Sequence, residues 1–248
     1  MRRTTKDVRR RRVPGLFTLL CLFATFSLTP YIIGQEPPSL IPPASGERGG
    51  WFLGGLGGGL SFRGDLDGKL VLGDATKVFF IPSPERGTGF GLSLGRMEKK
   101  GLWSVSYFRS AHRVSFRGGL SDSSFNAVLV DGRAHFFPRS PFMPYVHVGI
   151  VLPWLAVRNG STLNGAPRGA TYLGLGVTTG AGFLVKFGRI AFLSAGYLAR
   201  WLAFLYAKGE GSKGRDVQNL YIDQTGPRQH DFLRARASGW EVSLGFRL

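Results

Sequence analysis

One serine and one histidine lie two positions apart in a segment whose polar and apolar residues alternate. Ser110 and His112 therefore share one face of a predicted strand, where a histidine base could accept the proton of a serine nucleophile. No carboxylate that could orient the histidine is evident nearby in the sequence, and no G-x-S-x-G motif occurs. We therefore predict that the protein is not an enzyme. The same prediction treats every histidine as non-catalytic: His112, His135, His147 and His230.

A second set of reactive side chains is charged or titratable and occupies the inward parity of the predicted strands. Charges enclosed by a narrow barrel must pair, because removing them from water is costly. Two interpretations stay open: a salt-bridged plug that fills the lumen, which we favour, and a polar conduit or gate made of switchable ion pairs. The predicted network comprises Asp131, Arg133, His135, His147, Lys186, Arg200, Glu241 and Arg247.

The elements that would position these residues are strands, since apolar residues recur at every second position from Trp51 onward. This pattern predicts an all-β fold: a closed antiparallel up-and-down transmembrane β-barrel of eight strands. A helical alternative would use 142–157, 170–187 and 190–206, which are shorter than the roughly 20 residues that a bilayer requires. The predicted strands are Trp51–Phe62, Thr88–Arg96, Leu102–Phe116, Phe125–Phe137, Tyr145–Val157, Thr171–Phe187, Ile190–Phe204 and Ser238–Leu248.

Long polar connections and short turns alternate between these segments, as in barrels that cross an outer membrane. Aromatic residues gather at both strand ends, which predicts two girdles at the membrane interfaces. Arg109 falls on the lipid-facing parity, where a charge at mid-depth would cost about 2–4 kcal/mol. At the short-turn edge we place Trp51, Trp103, Phe136, Phe137, Phe142, Tyr145, Phe187, Phe192 and Phe246. At the long-loop edge we place Phe62, Phe116, Phe125, Trp154, Tyr172, Trp201, Phe204 and Trp240.

Within the last eleven residues, those from Trp240 onward alternate strictly between apolar and other side chains. The apolar positions are Trp240, Val242, Leu244, Phe246 and Leu248. This segment resembles the C-terminal signature strand of outer-membrane barrels, although Leu248 stands where that family usually ends in Phe. With the strand plan of residues 51–248, the chain resembles small eight-stranded outer-membrane proteins of the OmpA and OmpX kind. The resemblance implies assembly by the outer-membrane insertion machinery.

The N-terminal residues have the order of an export signal. A basic stretch up to Arg12 precedes an apolar one, so we predict a signal peptide over 1–34, with an uncleaved membrane anchor as the alternative. A Pro/Gly-rich linker is predicted over 35–50, and the barrel over 51–248. The only cysteine, Cys21, lies in the predicted signal, so the remainder has no disulfide or thiolate chemistry.

The chain is basic, with a formal net charge of +17. No dense stripe of basic residues and aromatics occurs, so we predict no nucleic-acid partner. We expect outer-membrane lipids as partners, including lipopolysaccharide phosphates at the basic long-loop edge, with solvated loop charge as the alternative. No cofactor or metal is predicted, because Asp65 and Asp67 lack the other ligands of a calcium loop. The sequence leaves the oligomeric state open.

Taken together, the pattern predicts a non-enzymatic protein of the bacterial outer membrane with a structural or surface-interaction role. The first alternative is a small porin-like channel, which requires an open lumen. The second is a barrel enzyme that modifies lipids, which requires a histidine with a serine or carboxylate at one rim.

Overall fold

The computed structural model describes residues 49–68, 71–73, 77–116, 119–137, 140–163, 166–210, 215–216 and 232–248. The predicted signal segment 1–34 and the linker as far as residue 48 lie outside the described residues, as does His230.

Eight long strands form the wall of the molecule, and four short strands belong to its loops. The long strands are β1 (Gly50–Gly64), β5 (Gly87–Met97), β6 (Gly101–Phe116), β7 (Gly119–His135), β8 (Phe142–Leu163), β9 (Ala166–Phe187), β10 (Ala191–Gly209) and β12 (Leu233–Arg247). The short strands are β2 (Val71–Gly73), β3 (Lys77–Phe80), β4 (Ser83–Pro84) and β11 (Arg215–Asp216).

The long strands close into a ring. Each pairs antiparallel with its neighbours in the order β1, β5, β6, β7, β8, β9, β10, β12, and β12 pairs again with β1. The predicted eight-stranded barrel is therefore confirmed. The helical alternative is wrong, because its three segments are strands β8, β9 and β10. Within the described residues, the chain has no helix long and apolar enough to span a membrane.

The strands are longer than the sequence predicted at one end of the barrel. Only residues 117–118 connect β6 to β7, and only 164–165 connect β8 to β9. At this end the paired strands continue through polar residues. Because these residues do not alternate with apolar ones, the sequence pattern did not predict them as strand. We call this end, with the connections 65–86 and 210–232, the long-loop end. The opposite end, with turns such as 98–100 and 188–190, is the short-turn end.

The outward face carries a broad apolar band. Large apolar side chains that point outward stay 38–64% exposed on several strands, examples being Leu53, Leu92, Val105, Ile150 and Val242. A contiguous apolar surface of this kind is unfavourable in water and suits lipid. Outward aromatics flank it, with Trp51 against Trp103 at the short-turn end and the outward Trp201 toward the other, whereas Tyr197 and Trp240 contact each other within the band.

Two apolar clusters fill the lumen, one toward each end. Several aromatics that the sequence assigned to the girdles belong to these clusters instead. They lie inward because strand parity, rather than position near a strand end, decides which face a side chain occupies. The short-turn cluster contains Phe52, Leu102, Met143, Tyr145, Leu184 and Phe192. The girdle residues found in or packed on the long-loop cluster are Phe62, Phe116, Phe125, Tyr172 and Phe204.

The first long connection folds into the long-loop end. The side chains of Leu66, Phe79 and Ile81 are at most 3% exposed and join the long-loop cluster. The hydroxyl of Tyr172 donates a hydrogen bond to the carbonyl of Phe80 at 2.8 Å, which attaches the connection to β9. The predicted polar connection therefore also contains apolar residues that close one end of the lumen.

Candidate functional site

A cluster of charged side chains lies in the lumen between the two apolar clusters. We call Asp131, Arg133, Arg200 and Glu241 the central cluster. Glu241 accepts one hydrogen bond from Arg200 at 3.0 Å and one from Arg133 at 3.4 Å. Asp131 lies 3.8 Å from Nε of Arg133 and accepts a hydrogen bond from Ser104 at 3.1 Å. Two carboxylates thus face two guanidinium groups, and their formal charges cancel.

The central cluster spans the barrel. Arg133 is on β7 and Glu241 is on β12, and these strands are four places apart in the ring in either direction. Their ion pair therefore crosses the full width of the lumen. Arg133 also donates to the hydroxyl of Ser194 at 2.8 Å, and Ser194 is hydrogen-bonded to Ser243 at 2.6 Å. Polar contacts thus connect opposite walls at mid-height.

Aromatic rings cover the guanidinium groups of the central cluster from both sides. The Cζ atom of Arg133 lies 5.2 Å from the centre of the Tyr145 ring, which belongs to the short-turn cluster. The Cζ atom of Arg200 lies 5.4 Å from the Phe108 ring of the long-loop cluster. Such cation–π contacts stabilise charges that are removed from water. The charged and apolar layers are therefore packed against each other.

Two histidines predicted for the network are buried beside it. His147 Nε2 lies 4.0 Å from Asp131, which is the outer limit for an ion pair. Neither ring nitrogen of His135 or His147 has a hydrogen-bond partner among the described residues, and the same holds for the Thr178 hydroxyl. This part of the lumen is therefore polar and incompletely satisfied.

The remaining two predicted residues lie away from the central cluster. Lys186 and Arg247 line a small cavity of about 30 Å³ at the short-turn end, next to the turn 188–190. They face inward as the parity predicted, but they are near the ends of their strands. Strand parity alone contains no information on height, so the sequence grouped them with residues at mid-lumen.

Ser110 and His112 form the predicted pair at the long-loop end. The Ser110 hydroxyl lies 2.7 Å from His112 Nε2, and His112 Nδ1 donates to the carbonyl of Glu85 at 2.8 Å. A carbonyl only accepts, so Nδ1 carries the proton in the neutral ring and Nε2 accepts from the serine. Both side chains are buried, at 1% and 4% exposure, and the Phe62 ring packs on the histidine. A main-chain carbonyl thus stands where a hydrolase places a carboxylate.

Arg109 stands in the same register row as the predicted girdle residue Trp154, since both pair with Asn126. It follows the outward Tyr107, whose ring contacts Trp154, and it pairs in register with Asn126. Strand β6 has no bulge, so the parity is as predicted. β6 ends at Phe116 as predicted, so its bounds do not move Arg109. The guanidinium lines a hollow on the outer wall together with Asp122 and Glu210, and acidic side chains beside it lower the cost of a charge there.

The C-terminal strand presents its predicted apolar residues to the outside. Trp240, Val242, Leu244, Phe246 and Leu248 are 42–77% exposed and alternate with inward Glu241 and Ser243. The same strand therefore contributes both to the lipid-facing band and to the central cluster.

Sequence reasoning missed the polar partners of the charges. Ser104, Ser194, Ser243 and Thr178 are inward and at most 6% exposed. The sequence could have indicated them, because each lies on the inward face of a strand that carries a predicted lumen charge or of the strand next to it. Among the described residues, no group of three or more His, Asp or Glu side chains is placed to hold a metal ion.

Comparisons with known proteins return similar structures only. No protein-family model and no curated protein sequence matches the chain. The crystal structure of Neisserial surface protein A is 15% identical over 80% of this chain and 97% of its own length, with a TM-score of 0.48. The outer membrane protein OprG from Pseudomonas aeruginosa is 13% identical over 80% and 96%, with a TM-score of 0.41. The fold of this chain is assigned from the strand pairing described above.

Proposed function

We propose that the chain is a non-enzymatic barrel protein of the bacterial outer membrane, with a structural or surface-interaction role. The outward apolar band between two sets of aromatics supports residence in a bilayer, since all wall strands are hydrogen-bonded on both edges. The exposed apolar residues of the C-terminal strand support recognition by the outer-membrane insertion machinery. The signal peptide and its removal remain part of the same proposal.

The ion pair that crosses the lumen carries the structural part of this proposal. Arg133 and Glu241 occupy the centre of the barrel, and apolar clusters lie on both sides of them. An eight-stranded barrel is just wide enough to be filled by its own side chains. These contacts support a plug that stiffens the wall.

The test combines gel mobility with electrical recording on the full chain refolded into lipid vesicles. We expect the unboiled protein to migrate faster than the boiled protein, because a closed barrel resists unfolding by detergent. We expect no steady conductance in planar bilayers, because the plug blocks the lumen. Steady ohmic conductance at neutral pH would contradict the plug.

A small channel is the second candidate, and one observation favours it. The unpartnered ring nitrogens of His135 and His147 and the Thr178 hydroxyl make the middle of the lumen polar. Groups of this kind hold water in protein interiors. If conductance appears only when Glu241 is replaced by alanine, the central cluster blocks the lumen of the unaltered protein. That result would support the plug and contradict the channel.

The burial of Ser110 and His112 supports the non-enzymatic proposal. The first long connection covers the pair, so a lipid substrate has no route to the hydroxyl in this conformation. A serine-reactive fluorophosphonate is expected not to label the folded protein. Labelling that disappears in Ser110→Ala would favour the lipid-modifying enzyme.

A further inference from the structure

Four arginines lie on the outward face where the barrel closes. Arg63 on β1 and Arg236 on β12 are directly opposite each other in the strand register. Arg234 follows on the same face of β12, and a side chain placed on Gly59 would touch the guanidinium of Arg86. All four side chains are exposed. We call Arg63, Arg86, Arg234 and Arg236 the arginine patch.

Within the described residues, no carboxylate forms an ion pair with the arginine patch. Like charges directly opposite on paired strands repel. The adjacent Asp65 uses Oδ2 to accept a hydrogen bond from the main-chain nitrogen of Arg234 at 2.9 Å. A concentration of positive charge thus stays open to an outside anion.

The height of the arginine patch matches the polar edge of a bilayer. Arg236 lies over the ring of Trp201, with 5.5 Å between its Cζ atom and the ring centre. Trp201 is outward and 44% exposed. On β12, Trp240 is also outward and lies closer to the middle of the membrane than Arg236. Outward tryptophans of barrels mark the boundary between hydrocarbon and headgroups. The guanidinium groups therefore lie where lipid phosphates are found.

A second basic surface serves as an internal comparison. Arg109, Arg158 and Lys208 line a hollow of about 620 Å³ on the outer wall at the long-loop end. Asp122 and Glu210 line the same hollow, so its charge is largely balanced. The number of basic residues is similar. Among the described residues, the acid beside the arginine patch is Asp65, whose carboxylate binds the main chain of Arg234 instead of a guanidinium group.

We propose that the arginine patch binds the phosphate groups of anionic lipids in the leaflet at the long-loop end. Guanidinium groups bind phosphate oxygens in a bidentate manner, and several can share one headgroup. This inference rests on the proposed membrane function and assigns that surface its ligand class. Binding of lipid would also remove the repulsion across the β1–β12 seam.

The experiment measures lipid preference in phosphatidylcholine nanodiscs that contain the full chain. Brominated phosphatidic acid and brominated phosphatidylcholine are added separately, and quenching of tryptophan fluorescence reports which lipid contacts the girdle. We expect phosphatidic acid to be preferred. In Arg63→Gln/Arg86→Gln/Arg236→Gln the preference is expected to fall about fivefold for each arginine, until it equals that of the neutral lipid.

The matched control is Arg109→Gln/Arg158→Gln/Lys208→Gln, which removes the same charge from the other surface. We expect it to keep most of the preference. Equal loss in both variants, or no preference in the unaltered chain, would overturn the proposal. Displacement by excess inorganic phosphate, but not by chloride at equal ionic strength, would assign the patch to free phosphate and also overturn it.

Failure of this inference is distinguishable from failure of the proposed function. A chain that is not a membrane barrel would show neither insertion nor a mobility shift on unboiled gels. A chain that inserts and shifts normally, but has no phosphate preference, would contradict only the lipid site. Both triple variants must show the same mobility shift, which is expected because all six replaced side chains are exposed.

Discussion

At the scale of single residues, Glu241 has the most demanding position in the lumen. Its two carboxylate oxygens accept hydrogen bonds from two different arginines on two different strands. Both arginine side chains are almost completely buried, at 6% and 3% exposure. Water does not reach these guanidinium groups readily, so they need carboxylates for charge compensation. Among the described residues, Arg200 has Glu241 for this, whereas Arg133 has both Glu241 and Asp131.

We expect Glu241→Ala to lower the free energy of unfolding by about 3–5 kcal/mol, the usual effect of removing one partner of a buried ion pair. Urea unfolding of the vesicle-embedded protein measures it. The control is Glu98→Ala, whose carboxylate is exposed and pairs with exposed Arg96, so the change there is expected to stay below about 1 kcal/mol. Equal effects would contradict the central role of Glu241.

His112 gives the long-loop end a dependence on pH. It lies in the register row of Val157, three residues beyond the predicted girdle residue Trp154 toward the long-loop end. Burial lowers its pKa below the ordinary value of 6.5, while the hydrogen bond to the Glu85 carbonyl acts in the opposite direction. When the connection 65–86 opens, His112 therefore takes up a proton more readily than it does while the connection is closed. Stability of the closed loop is complete above about pH 6.5, falls as the pH drops from there toward the lowered pKa, and levels off below it.

We accordingly expect hydrogen exchange of the Glu85 amide, which donates to the Arg113 carbonyl at 2.8 Å, to accelerate on acidification after correction for intrinsic rates. His112→Gln is expected to lose this acid dependence, although its exchange at neutral pH will be faster. An unchanged acid dependence in the variant would assign the effect to another group.

At the scale of elements, strand number and parity followed from the sequence, whereas loop structure did not. Side chains alternate along a strand regardless of context, so β5 and β9 were readable from their own residues. The connection 65–86 mixes short apolar runs, such as 78–81, with polar, Gly and Pro residues, and no regular alternation extends along it. Its position depends on side chains from distant strands, such as Tyr172, which no local pattern contains.

A substitution of Ile81 tests whether the connection 65–86 closes the long-loop end stably. Its side chain is fully buried, so Ile81→Ala is expected to destabilise the closed loop by about 2–5 kcal/mol. Trypsin should then cleave after Arg86 more rapidly, while the rest of the barrel stays resistant. Leu120→Ala is the control, because Leu120 is 77% exposed. Equal cleavage of both variants would show that the loop is already open.

The seam between β1 and β12 depends on glycine at one position. A Cβ atom on Gly239 would collide with the main-chain carbonyl of Gly59 across the seam. By contrast, a Cβ atom on the outward Gly55 meets nothing within 4 Å. The difference follows from backbone packing at the seam, because the neighbour of Gly239 is main chain and cannot rotate away.

Gly239→Ala is therefore expected to reduce the yield of closed barrel, as measured by the fraction of fast-migrating protein on unboiled gels. Gly55→Ala is expected to fold like the unaltered chain. A normal yield for Gly239→Ala would show that the seam accommodates a wider strand spacing.

At the scale of the whole molecule, the partners across the lumen were beyond sequence reasoning. The sequence placed Arg133 and Glu241 on the inward face, but 108 positions separate them along the chain. Which inward residues meet depends on strand tilt and register, which together set the height of each residue. The same reason explains why Lys186 and Arg247 were grouped with residues that lie elsewhere in the lumen.

Recognition of the C-terminal strand would act on the whole chain during its assembly into the membrane. This recognition remains a prediction. Phe246 and Phe183 are both outward and both 50% exposed, so replacing either by asparagine removes a similar contact with lipid. We expect both variants to refold alike into pure lipid vesicles. In cells, Phe246→Asn should reduce insertion more than Phe183→Asn, as measured by outer-membrane fractionation. Equal insertion would contradict recognition of the last strand.

The ion pair across the lumen also has a consequence for the order of folding events. Arg133 and Glu241 are on strands at opposite sides of the ring, so they meet only when the two halves of the chain have curved toward each other. If the pair is absent from the transition state, a variant that lacks it will fold at the normal rate and unfold faster. The central cluster then determines how long a finished barrel lasts, not how quickly it forms.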